Sequence, residues 1–252
     1  MGQLLLQQFT KQYINGQWRD GASTGTIQNV NPYTGEELFT IQGASQVDLD
    51  DAYKAAQQAQ PIWEATPLAE KKLLFERLVD VLQEKREDII EWLINESGST
   101  FIKANAEFES SVKMVKESAS FLTRITGQIL PSYVPNKENR VYRTAKGVIG
   151  IIGPWNFPFL LTMRSLAPAI ATGNGVVIKP ASDTPVTSGL LFGEIFERAG
   201  FPSGLVNVVV GRGSEIGDAF VSHPIPCMIS FTGSTEVGRR IGEIAGKNLK
   251  DV

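Results

Sequence analysis

The chain has 252 residues, 42% of them hydrophobic and 20% charged, and a formal charge of −3. That suffices for a large core and about one and a half domains, without the basic surplus that nucleic acid demands of a partner. One cysteine, Cys227, excludes an internal disulfide framework and fits a reducing, cytoplasmic setting. Met1–Gln8 holds an apolar run too short for a signal-peptide core and has no basic leader. No apolar stretch reaches the ~18 residues of a membrane helix, so neither a membrane nor a metal site is expected.

In chain order, Asn31-Pro32-Tyr33-Thr34-Gly35-Glu36 is a turn signal between two short strand-like pieces, Gly16–Trp18 and Glu37–Ile41. From Pro67 to Ser97, Phe75, Leu78, Val79, Leu82, Ile89, Ile90, Leu93 and Ile94 recur mostly at three- and four-residue steps. Charged residues fill the gaps, which predicts an amphipathic helix, interrupted near Arg86 and stopped at Gly98. A second helix is expected from about Lys103 to Thr126, ending at Gly127. Residues 131–146 then read as a polar-flanked excursion of two strands.

After Gly147 the rhythm changes. Apolar runs begin at Val148, Val176, Val206 and Met228, each followed by a helix-length segment. This is the spacing of successive βα units. Runs apolar on both faces suit a parallel sheet covered by helices on each side. The predicted class is therefore α/β, a doubly wound parallel sheet with an N-terminal helical layer and a protruding two-stranded hairpin. Leu249-Lys250-Asp251-Val252 resembles the opening of a fifth strand.

Two strand-to-helix passages are rich in glycine. Val206–Val210 runs into Gly211-Arg212-Gly213-Ser214-Glu215-Ile216-Gly217. A dinucleotide fingerprint wants G-x-G-x-x-G, and here the third glycine comes one residue late, with no suitable acid twenty residues on. Alone, this passage is equally a tight turn or a cofactor loop. The second, Met228-Ile229-Ser230-Phe231 into Thr232-Gly233-Ser234, puts a serine where it can cap a helix or offer its hydroxyl and neighbouring amides to a phosphate.

Four motifs in combination, GPWNFP at 153–158, APAIATGN at 167–174, IKP at 178–180 and FTGSTEVG at 231–238, closely resemble the aldehyde dehydrogenase superfamily. With the Asn-Pro-Tyr-Thr-Gly motif at 31–35, the resemblance covers most of the chain. It implies a parent activity that oxidises a small-molecule aldehyde to a carboxylic acid with NAD or NADP. It implies that Asn156 supplies its side-chain amide to the aldehyde-derived oxyanion, and that Lys179 reaches the adenosine ribose hydroxyls. Ile152 and Trp155 would lie along the nicotinamide half, Gly213 and Gly217 would admit the adenine end, and Ser234 beside Gly233 would meet the pyrophosphate, with Gly238 a turn further on. Ser182 stands where many NAD-preferring relatives carry a glutamate, and a small neutral side chain there admits the 2′-phosphate of NADP. Met163-Arg164-Ser165 resembles the benzaldehyde and vanillin dehydrogenase branch, whose substrates are aromatic; Arg164 reads equally as an ordinary helix-end charge.

The same resemblance places a catalytic glutamate, in an L-E-L-G-G segment, and the nucleophilic cysteine beyond Val252. Residues 1–130 and 147–252 are thus expected to form the cofactor-binding domain and 131–146 an oligomerisation hairpin. The catalytic domain is expected to be absent, the 252 residues inactive alone, and the complete protein a homo-oligomer. Cys227 is expected in a buried strand as an inert thiol, and His223 in a loop before it. A non-catalytic nucleotide-binding fragment or pseudoenzyme and a structural or interaction module stay open as readings from other classes; binding of NAD and NADP separates the second from the rest.

Overall fold

The computed structural model describes residues 9–252, so the Met1–Gln8 reading lies outside the described residues. A six-stranded sheet carries the fold, with strand order β10-β7-β8-β9-β1-β2. Its four central strands are the expected apolar runs: β7 (Val148–Ile152), β8 (Gly175–Lys179), β9 (Val206–Val208) and β10 (Met228–Phe231). They are parallel to one another. The chain builds β7, β8 and β9 in one direction and then crosses to lay β10 on the far side of β7. The order of strands therefore reverses between β7 and β10.

That reversal sorts the helices onto two faces, because parallel crossovers keep one hand. On one face α5 (Pro158–Ala171) and α6 (Leu191–Ala199) cover the sheet. Behind them pack α2 (Leu68–Glu84), α3 (Arg86–Ser97) and α4 (Phe101–Arg124). On the other lie α1 (Gln46–Ala65), α7 (Asp218–Ser222) and α8 (Thr235–Lys247). Alternation along the strands feeds both layers: Ile149, Ile151, Val176 and Ile178 join the first core, and Val148, Val177 and Ile229 the second. Trp63 anchors the helical layer, fully buried with its Nε1–H donating to the Ile170 carbonyl at 2.8 Å.

Local signals set the helix bounds. Ser45 caps α1 in a reciprocal box with Asp48. The predicted interruption near Arg86 is the break between α2 and α3, and Gly98 ends α3 in the left-handed region at φ 65°. The helix expected from Lys103 starts two residues earlier, because the Thr100 hydroxyl accepts the Lys103 N–H as its cap.

Both strand-like pieces flanking the 31–36 turn are strands, and each has its own partner. Glu37–Gln42 (β4) pairs not with the 16–18 piece but with β3 (Thr26–Val30). Gln17–Arg19 (β2) pairs with β1 (Gln12–Ile14), which joins the edge of the main sheet antiparallel to β9. The excursion is a hairpin of β5 (Gln128–Pro131) and β6 (Glu138–Val141), so its first strand starts three residues before the expected boundary at 131. Near Leu249 a single parallel bridge, Asp251 to Met228, lies on the outer side of β10.

The helical layer reaches into the sheet's helices through buried carboxylates. Glu96, at the end of α3, accepts the Val186 N–H at 2.9 Å, the Thr187 N–H at 2.7 Å and the Thr187 hydroxyl at 2.5 Å. Asn29 Nδ2 donates to it at 2.9 Å. These are the free amides of the π-helical turn Val186–Leu190 that leads into α6. Burial pushes the Glu96 carboxyl up to about 7, against the downward pull of its hydrogen bonds. Between its ordinary value and 7 the folded chain keeps a proton that the unfolded chain loses. This contribution to stability is therefore present at acid pH and is lost as pH rises from the ordinary carboxyl range through 7, on the order of 3 kcal/mol. Urea unfolding across pH 4–8 should show that decline in the native chain and a flatter profile in Glu96→Gln. Glu96→Ala, which strands the same donors, should cost about 3 kcal/mol.

Candidate active site

The strand order reverses between β7 and β10, and in open α/β sheets ligands bind in the crevice beyond the carboxyl ends of strands at such a point. Two adjoining clefts lie there, of about 530 and 560 Å³, with Ile152 and Val237 lining both. The first sits directly over the reversal. Its walls include Gly153, Pro154, Trp155 and Asn156 from the turn after β7, and Phe231, Thr232, Gly233 and Ser234 from the turn after β10. The second continues past the end of β8, with Lys179, Gly213, Ser214 and Gly217 on one side and α8 on the other.

Asn156 is exposed at the mouth of the first cleft, and its Oδ1 accepts the N–H of Phe157 at 2.9 Å. The amide oxygen is thereby engaged, so Nδ2 is the end presented as a hydrogen-bond donor. The turn itself is pinned from behind. Glu107, buried on α4, accepts the N–H groups of Phe159 at 2.9 Å and Leu160 at 3.1 Å, in the first turn of α5. Pro158 opens that helix, and Phe157 offers no side-chain cap. Glu107 therefore does for α5 what Glu96 does for the turn into α6. Burial raises its carboxyl above the ordinary range, opposed by these amides and by Lys103, whose Nζ lies 3.4 Å from Glu107 and 4.4 Å above the Phe157 ring.

Trp155 is 64% exposed, an uneconomical place for a large aromatic unless something covers it. Lys179 is the opposite case: buried, with Nζ donating to its neighbour's carbonyl, Pro180 O, at 3.2 Å. No carboxylate faces it, and burial pulls its ammonium down to about 8. Gly213 and Gly217 need their missing side chains neither for conformation nor for packing. Neither has a positive φ, and a Cβ on either would meet nothing within 4 Å. Both face the second cleft, so the open space is toward a ligand. Gly233 is explained locally, since a Cβ there would come within 2.5 Å of the Phe231 ring.

Ser234 caps α8, its Oγ accepting the Val237 N–H at 3.3 Å, and it stands exposed in the first cleft. The remaining amides of that first turn are free for an anion. Of the predicted residues, the clefts bring together Ile152, Trp155, Asn156, Lys179, Gly213, Gly217, Gly233 and Ser234. Ser182 and Gly238 form no part of either wall; Gly238 packs beside Phe231. The acids Glu96 and Glu107 escaped sequence reasoning. Both lie in segments read only as amphipathic helix, where nothing marked a buried carboxylate.

Cys227 departs from expectation: it is exposed rather than buried. It precedes β10 at the end of the sheet opposite the clefts, about 13 Å from Phe231 at a rise of about 3.3 Å per residue. There the strand has only begun to pair, and Lys146 and Lys250 are its charged neighbours. His223 does fall in the turn before the strand, where it stacks on Tyr53 and lies 3.3 Å from Asp50, not against the thiol. Met163 is core, while Arg164 is exposed on α5. A larger cavity, about 650 Å³, lies at the base of the hairpin among Glu64, Lys71, Arg124 and Arg143, away from the strand ends. Among the described residues no group of acids, histidines and cysteines could hold a metal ion, and no helix is long and apolar enough to cross a membrane.

Known proteins carry the same arrangement. Vanillin dehydrogenase of Corynebacterium glutamicum is 56% identical over 94% of this chain and 49% of its own length. Benzaldehyde dehydrogenase YfmT of Bacillus subtilis is 47% identical over 97% of this chain and 50% of its own. The crystal structure of an NAD-dependent benzaldehyde dehydrogenase from Corynebacterium glutamicum superposes with a TM-score of 0.94 at 54% identity, covering 96% of this chain and 52% of that one. The chain spans about half the length of the curated relatives it matches. The model of the aldehyde dehydrogenase family matches residues 18–252, and with the strand reversal and its two clefts it makes this chain a member of that family.

Proposed function

We propose that these residues form the dinucleotide site and the oxyanion donor of an NAD- or NADP-dependent oxidation of an aldehyde, aromatic in class, to a carboxylic acid. The observation that carries this is the continuous pair of clefts at the strand reversal, with the free Asn156 amide at one end and the buried Lys179 ammonium toward the other. The relatives named for vanillin and benzaldehyde support the aromatic class. When bound, the nicotinamide supplies the hydride acceptor. The chain's own residues bind and orient. Lys179 donates to the adenosine ribose hydroxyls, and the free amides beside Ser234 hold the pyrophosphate. Gly213 and Gly217 let the adenosine approach the backbone, and Trp155 with Ile152 flanks the nicotinamide. Asn156 donates from Nδ2 to the oxygen that becomes negative in the transition state, a contribution of about 2.7–4 kcal/mol in comparable sites. Ser182 lies outside both cleft walls, next to Ala181, which lines the first; on this reading it brings no charge near a 2′-phosphate, so NADP is admitted.

The hairpin is a second element of the reading. Both its strands are exposed at every position and pair only with each other, leaving two free edges with Ile129, Leu130 and Tyr142 on show. We assign it to subunit assembly.

Lys179→Met separates binding from stability. A buried ammonium without a carboxylate costs stability, so the variant should melt no lower than the native chain. It should nevertheless bind NAD on the order of tenfold to a hundredfold more weakly, the loss of a charged hydrogen bond. Calorimetric titration beside thermal melts checks both. Failure of the native chain to bind either cofactor would overturn the proposal.

Ser182→Glu should weaken NADP selectively, by charge repulsion at the 2′-phosphate, and leave NAD within a few-fold. An unchanged NADP/NAD ratio would place residue 182 away from the ribose.

These 252 residues bring no thiol to the clefts, and an oxyanion donor acts only after a nucleophile has attacked. The polypeptide alone is therefore expected to bind cofactor without reducing it in the presence of benzaldehyde. Loss of positioned covalent attack forfeits up to about 7–11 kcal/mol, more than Asn156 could restore. Steady cofactor reduction that Cys227→Ala abolishes would contradict this.

A further inference from the structure

The second cleft holds one feature that the dinucleotide reading leaves unused. Asp218, the first residue of α7, and Arg240, in the second turn of α8, lie on the cleft's two helical walls and join them through a forked ion pair. Arg240 Nε donates to Asp218 Oδ1 at 2.7 Å, and Nη2 donates to Oδ2. Both side chains are more than half exposed, at 67% and 54%. An exposed pair of this kind contributes about 0–1 kcal/mol to stability, so its removal should cost the fold little. Its neighbours in the cleft are the apolar Val221, Val237 and Ile241.

We infer that Arg240, held flat by Asp218, is a specificity-determining residue that stacks on the purine of the bound nucleotide. The argument is geometric. A side-on fork engages Nε and one terminal nitrogen in the plane of the guanidinium and leaves both faces of that plane free. A guanidinium stacks on aromatic faces, and a lysine ammonium cannot reproduce the planar contact. The slot between α7 and α8 offers a purine valine and isoleucine side chains together with this one planar cation. Asp218 fixes the orientation in advance, so less side-chain entropy is lost on binding. The inference rests on the cleft being the dinucleotide site, with the adenosine at Gly213 and Gly217, and adds the side chain that stacks on the purine and the one that orients it.

The test is calorimetric titration of the 252-residue chain with NAD and with AMP. Arg240→Ala should weaken both by the same factor, roughly three- to thirtyfold, because the loss is confined to the adenine end. Arg240→Lys should fail to restore affinity for either, and Asp218→Asn should give a smaller loss with the same NAD-to-AMP parity. Unchanged affinities in Arg240→Ala, with native binding intact, would overturn the inference and leave the cofactor reading standing. Full rescue by Arg240→Lys would also overturn it, since charge rather than planar contact would then be the determinant. A native chain that binds neither ligand would remove the cofactor reading itself, and this inference with it. Thermal midpoints near the native value are expected for all three variants, because the pair lies at the surface.

Discussion

Helix N-termini present unpaired N–H groups, and this molecule's site depends on which of them are already taken. The turn into α6 is closed by Glu96, and the first turn of α5 by Glu107, each carboxylate arriving from the N-terminal helical layer. The starts of α8 and of the Gly213–Gly217 turn receive no such acid: one is capped only by its own serine hydroxyl, the other by no side chain. Of these four helix starts the protein thus fills two with its own charges and leaves the two that line the clefts without one. An anionic ligand is directed to the open pair by the same dipole logic that makes the closed pair stable.

This gives the helical layer a role beyond bulk. Asn156 sits between β7, whose position the sheet dictates, and α5, whose start Glu107 dictates. Hydrogen bonds at both ends of this five-residue turn, from Gly153 to the Lys179 carbonyl and from the first turn of α5 to Glu107, hold Asn156 in place, as the oxyanion role we propose for it requires. The cost is the desolvation of two carboxylates, seen in their raised proton affinities. The clefts and the helical layer are therefore joined by buried hydrogen bonds, though they come from opposite halves of the sequence.

What was legible in the sequence follows from range. Strand and helix alternation after Gly147 is a local pattern, and it located β7, β8, β9 and β10 with the turns that carry Ile152, Asn156, Lys179 and Ser234. The β1–β2 edge was legible only in part: the strand-like piece at 16–18 is β2 within a residue, whereas β1 (Gln12–Ile14) is too short for a period and pairs with a strand almost two hundred residues away. Glu96 and Glu107 were hidden for a related reason. A glutamate among helix charges reads as solvated, and only the arrival of distant amides makes burial affordable. Cys227 misled in the other direction, because an apolar run after a residue does not bury the residue that precedes the first paired position.

Sites of function can also be read from where a chain breaks the rules that fold it. Lys179 is a buried cation with a single carbonyl partner, Trp155 a large aromatic left in solvent, and Gly213 and Gly217 are glycines that neither torsion nor packing requires. Each is a small loss when the polypeptide is considered alone. Scattered through the molecule they would be unremarkable, but they converge on two clefts that share Ile152 and Val237. A single elongated ligand with hydroxyls for the ammonium, an anionic centre for the open helix ends and flat rings at its extremities would offset all of them together. The departures from good folding thus converge on the two clefts to which we assign the dinucleotide.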